Sequence, residues 1–174
     1  MAALALPDYR LAKTLTEDEY GVHQNYYVGT SAALSQRKEK SLWFSSAEGS
    51  YNVVILTNQI PLWVEPTLRA YSRIQGLTEG WDSYSGKRIN RDLIKSSLLI
   101  LTEVMDASSP VPSVVPLSDG GLQLEWHRKQ QDLEIVFSAD DTPQFFYQNR
   151  ATGVEREGFA SDVLSLAQLL QGIA

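Results

Sequence analysis

The residues best equipped for chemistry lie between positions 121 and 134. In G-L-Q-L-E-W-H-R, Gln123, Glu125 and His127 recur at every second position. Side chains two apart on a β-strand leave the same face, so a strand here sets a carboxylate beside an imidazole. Glu134 belongs to the next alternating run, D-L-E-I-V-F, and falls opposite if the two runs pair. A carboxylate, an imidazole and a second carboxylate suit acid–base catalysis or a divalent-metal site. Metal sites usually take three or more ligands, and the chain has two histidines, His23 and His127. The same residues equally make an ordinary solvated sheet face with polar cross-strand pairs. That is the expectation adopted, with a metal-dependent hydrolase using Glu125, His127 and Glu134 as the alternative.

A second constellation is the loop G-W-D-S-Y-S-G, in which Trp81, Asp82 and Tyr84 sit between Gly80 and Gly86. Two large aromatics and an acid on a loop suit anchoring of a partner. The structural reading of the same residues folds Trp81 back as a lid and uses Asp82 to bond a turn. The string Asp119-Gly120-Gly121 lacks the lysine and following helix of a phosphate loop, so it reads as a tight turn. There is no G-x-S-x-G elbow and no cysteine, which excludes thiolate nucleophiles, disulfides and cysteine-based zinc sites.

These residues need elements to position them. Leu122, Leu124 and Trp126 alternate with the polar positions, and Leu133, Ile135 and Phe137 repeat the pattern. Phe145 and Tyr147 continue it in a third strand, after a turn at residues 140–143, with residues 129–132 as the turn before. Trp126 falls on the apolar side and is expected in the core. Ser161 is read as the cap of a final helix striped by Val163, Leu166 and Leu170. Upstream, Asn90 suits an N-cap, and Ile94, Leu98, Leu101 and Met105 follow at helical spacing. Pro66 suits a first helical turn, with Leu68, Tyr71, Ile74 and Gln75 behind it and Gly76 after its end. The runs at residues 41–45 and 51–57 flank A-E-G-S and predict a hairpin. Residues 22–28 read as a strand, residues 29–40 as a loop, and residues 1–20 as a helical turn or tail.

The expected fold is α+β, with antiparallel meanders packed against amphipathic helices in the order βββα-αβββα. The length of 174 residues suits a single domain, divisible at most into 1–76 and 77–174. The net charge is −6, and most of the imbalance falls after residue 87, where 7 basic residues meet 12 acidic ones. The one dense basic cluster is Arg37, Lys38 and Lys40, too short for a phosphate-binding stripe, so direct nucleic-acid binding is not expected. The longest apolar runs, such as residues 53–56 and 98–101, cannot span a bilayer. The start M-A-A-L-A-L-P-D is a poor signal peptide. A cytoplasmic protein without cofactors or membrane contact is the expectation.

The pieces W-D-x-Y at residues 81–84 and D-G-G-x-x-L-E-W at residues 119–126, with D-L-E-I after them, resemble a group of small bacterial proteins of uncharacterised function. The resemblance covers residues 77–140. It implies an accessory protein of bacterial chromosomes or mobile elements and carries over no catalytic residue. Acidic charge and the aromatic loop together point to a non-enzymatic module that binds another protein, a basic one suiting the acidic surface. An antitoxin, immunity or defence-system partner is the concrete form, with Trp81, Asp82 and Tyr84 as contact residues. A self-assembling structural subunit is a further alternative.

Overall fold

The computed structural model of the chain describes residues 61–174 and the backbone of three strands before them. The fold is α+β. Strand β1 (Arg10–Lys13) and strand β2 (Glu39–Ser46) both pair antiparallel with β3 (Gly49–Leu56), giving the order β1-β3-β2. The expected hairpin around A-E-G-S is therefore present, with strands that reach further into the turn. Residues 10–13 are extended rather than a helical turn, because they complete the second edge of β3. Lys40 lies in β2, not in a loop. The strand expected at residues 22–28 lies outside the described residues.

Helix α1 (Val64–Gln75) begins two residues before Pro66, which sits in its first turn, where no intrahelical donor is required. It buries Leu68, Tyr71, Ile74 and Gln75 along one face. Gly76 ends it in right-handed geometry (φ −77°), bonding Arg73 O, rather than as a left-handed residue. In helix α2 (Arg91–Val104) the Asn90 side chain accepts the Asp92 N–H, as its position predicted. Tyr71 and Ser97 join the two helices through a buried contact of 2.8 Å. Ser97 Oγ itself donates to Ile94 O, so the phenol is the donor to Ser97. Burial pushes the Tyr71 phenol well above its ordinary range.

A second sheet follows in simple meander order, β4-β5-β6-β7-β8. Its strands are β4 (Ser113–Pro116), β5 (Leu122–Arg128), β6 (Gln131–Phe137), β7 (Gln144–Asn149) and β8 (Val154–Phe159). Helix α3 (Val163–Ile173) closes the chain. The expected three-stranded meander is thus five-stranded. The three inner strands bury one face and show alternation. The outermost, β8, is exposed at nearly every residue and has no apolar stripe to announce it. Strand β4 is short and framed by prolines.

Register stacks the apolar face in rows. Leu122 pairs with Phe137; Leu124, Ile135 and Phe145 share a row; Trp126, Leu133 and Tyr147 share the next. These residues are nearly all fully buried, and Leu166, Leu169, Leu170 and Ile173 of α3 join the same cluster. Asp162, not Ser161, caps α3, accepting the Ser165 N–H. The far end of α3 is fastened to the sheet by Lys129 Nζ, which donates to Ala174 O, and by Gln131 Nε2, which donates to Gly172 O at 3.2 Å. No helix among the described residues is long and apolar enough to cross a membrane.

Candidate functional site

The loop at residues 77–87 carries Trp81, Asp82 and Tyr84 and is organised by Asp82. Its Oδ1 accepts the N–H groups of Tyr84 and Gly86, each at 2.9 Å, and its Oδ2 accepts the Ser118 hydroxyl at 2.9 Å. The backbone N–H of Tyr84, then that of Gly86, hold the Asp82 carboxyl below the usual carboxylate range. The Gly80 N–H closes the loop onto Gly86 O at 2.8 Å. Trp81 is half-buried, and its indole N–H donates to Lys87 O at 3.0 Å. A Cβ on Gly86 would lie 2.8 Å from Asp82 Cγ and 2.9 Å from Trp81 Nε1, so only glycine fits beneath the two side chains. Tyr84 points away from all this and is 88% exposed.

The loop is in turn docked on the β4–β5 turn. The Lys87 N–H donates to Ser118 O at 2.9 Å, and the Asn90 N–H to Gly120 O at 2.8 Å. Gly120 has φ +89°, and a Cβ there would lie 2.7 Å from Arg88 O. Asp119 holds the turn by accepting from the Gly121 N–H and from Ser138 Oγ. The W-D-x-Y and D-G-G pieces, 36 residues apart at Asp82 and Ser118, are therefore one construction. The tight-turn reading of residues 119–121 holds. Its partner loop was out of reach of sequence reasoning, because nothing local in S-D-G-G says which distant loop will fill it.

The second candidate, the polar face of the sheet, brings Gln123, Glu125, His127 and Glu134 together. Gln123 Nε2 donates to Glu125 at 2.9 Å and to Glu134 at 3.0 Å, so one amide separates two carboxylates that face each other in register. His127 sits 3.2 Å from Glu125 and 2.7 Å from Asp132. With an acceptor at each nitrogen, the imidazolium is the form that satisfies both. Asp132 is also held by Arg150 at 2.9 Å. Among the described residues no group of three or more His, Asp and Glu side chains is placed to hold a metal ion. A metal at Glu125, His127 and Glu134 would have to break the bonds from Gln123 and to Asp132. The arrangement instead gives each of these side chains a polar partner on the sheet.

Asp132 was missed because residues 129–132 read as one turn. The turn is only Lys129 and Gln130, with φ 52° and 60°, and β6 starts at Gln131. Both residues adopt left-handed backbone without being Asn or Gly, so the usual hairpin signal is missing.

Asp132 first, then Glu125, raise the pKa of His127 above its ordinary value. A group raised on folding stabilises the fold fully below its unfolded pKa, about 6.5, and the benefit fades as pH rises through the folded value. The side chain is 48% exposed, so solvent screening keeps the effect small. The wild type should melt above His127→Gln at pH 5.5, and the gap should narrow by pH 8. A gap that stays constant would mean His127 acts through packing alone.

No family model matches the chain, and no curated protein or solved structure matches it.

Proposed function

We propose that this chain is a non-enzymatic protein-binding module that docks through the loop at residues 77–87. The observation that carries this reading is Tyr84, an exposed aromatic on a loop already fixed by Asp82. Interfaces draw most of their energy from a few aromatic and arginine anchors. Ordering a loop on binding costs affinity, and here the bonds to Asp82 and Ser118 meet that cost in the free protein. Acidic net charge and the resemblance of residues 77–140 to small bacterial accessory proteins favour a protective partner, such as an antitoxin or immunity protein, working in the cytoplasm.

The loop residues have different roles in this reading. Tyr84 is the contact. Asp82 sets the loop shape. Trp81 braces it, since its N–H is already bonded to Lys87 O and its ring covers Gly86. Tyr84→Ala is therefore the clean test. Affinity capture from host lysate should lose one stoichiometric partner with this variant, while its melting temperature stays at the wild-type value. Retention of the same partner at the same yield would remove Tyr84 as the anchor. Trp81→Ala is expected to lower both binding and stability and cannot separate the two.

A further inference from the structure

Strand β8 and the sheet face beside it form a second surface, at a different place in the fold from Tyr84. Residues 131–159, which make up β6 to β8 and their turns, hold six carboxylates against two arginines. Asp140 and Asp141 lie in the turn between β6 and β7, and the register sets the other four in rows on the polar face. Asp132, Gln148 and Glu155 share one row, Glu134, Phe146 and Glu157 the next, and Val136, Gln144 and Phe159 the last. Phe146 and Phe159 are 40% and 58% exposed. Among the described residues β8 pairs with β7 alone, and Val154 to Glu157 are exposed on both faces. An edge strand of this kind presents unpaired N–H and C=O groups, and charged residues along it discourage the wrong partners.

The charges also say which partner fits. Residues directly opposite in an antiparallel pair leave the same face of the sheet. A second copy of β8 could keep nearly the whole strand paired in two registers. Centred on Arg156, it places Glu155 opposite Glu157 and Arg156 opposite Arg156. Centred on Glu157, it places Glu157 opposite itself. Like charges directly opposite are destabilising, so both registers oppose self-pairing.

We infer that the outer edge of β8 binds an extended basic segment of a partner protein by strand addition. Basic side chains lie opposite Glu155 and Glu157, an acidic or polar one opposite Arg156, and apolar ones opposite Val154 and Phe159. Main-chain bonds supply the attachment and the alternate side chains supply the selectivity. This surface can fail while the Tyr84 loop stands, and the reverse.

The probe is the blocked peptide Val-Ser-Arg-Glu-Arg-Val, which in antiparallel pairing sets its valines opposite Phe159 and Val154 and its arginines opposite Glu157 and Glu155. Titrated into the full chain at low salt, it should shift the amide NMR signals of residues 154–159 and leave those of residues 77–87 in place. Glu155→Lys/Glu157→Lys should weaken binding by about tenfold or more, given that cross-strand charge pairs contribute up to about 1 kcal/mol each. N-methylation of the peptide at alternate amides should abolish binding, since it removes the main-chain donors and keeps the charge. The inference is overturned if the double variant binds equally well, if the N-methylated peptide binds as tightly, or if no saturable binding is seen. Shifts confined to residues 77–87 would also overturn it, while leaving the loop as the docking surface.

Discussion

Gly120→Ala should cost the protein roughly 3 kcal/mol and release the Tyr84 loop from the sheet. About 1–2 kcal/mol of this comes from forcing a side-chain-bearing residue into left-handed backbone, required here by φ +89°. The rest comes from the new Cβ, which would sit 2.7 Å from Arg88 O. That oxygen belongs to the segment whose Lys87 and Asn90 N–H groups bond Ser118 O and Gly120 O, so it cannot retreat without breaking them. The predicted signature is local before it is global. Hydrogen exchange should accelerate at Gly86, Lys87 and Asn90 well below the melting transition, while the amides of β6 keep their protection. Affinity for a partner bound through Tyr84 should fall with it, because the ordering cost returns. Wild-type exchange at those three amides would show that the turn and the loop are not coupled through Gly120.

The same junction shows where sequence reading stops. Alternation placed β5, β6 and β7 and the burial of Trp126, because strands with one buried face write their phase into every second residue. Asn90 was legible as a cap because capping is settled within two or three residues. The contact of Asp82 with Ser118 was not, since no local rule links residues 36 apart. Strand β8 left no mark because an edge strand exposed on both faces needs no apolar alternation; its charges, which hid it as a strand, are what make its outer edge selective. Asp132 escaped for a narrower reason. A two-residue turn built from Lys129 and Gln130 carries no glycine, so the strand was started too late and the partner of His127 was assigned to the turn.

Trp126→Ala should be the most damaging single change, at about 3–5 kcal/mol for a large aromatic truncated in a core. Trp126 is 2% exposed and lies in the row of Leu133 and Tyr147. Its loss also orphans a polar group, because its indole N–H donates to Pro110 O at 2.8 Å in a buried setting. Total stabilities of small domains run about 5–15 kcal/mol, so the variant should melt far below the wild type or fail to accumulate. Trp126→Phe separates the two contributions. It keeps most of the ring and removes the donor, and should cost about 1–3 kcal/mol, the penalty of an unsatisfied buried carbonyl. A second indole constrains the same connection. Trp63 Nε1 donates to Asp106 O at 3.1 Å, so residues 105–112, which lead from α2 to β4, are held near both ends by tryptophans from different elements. Releasing one end leaves the other to position β4 alone. Trp63→Phe and Trp126→Phe combined should then cost more than the sum of the two singles, as expected for sites coupled through one segment of backbone. Strict additivity in urea titrations of the four proteins would show that the two ends of the connection are independent.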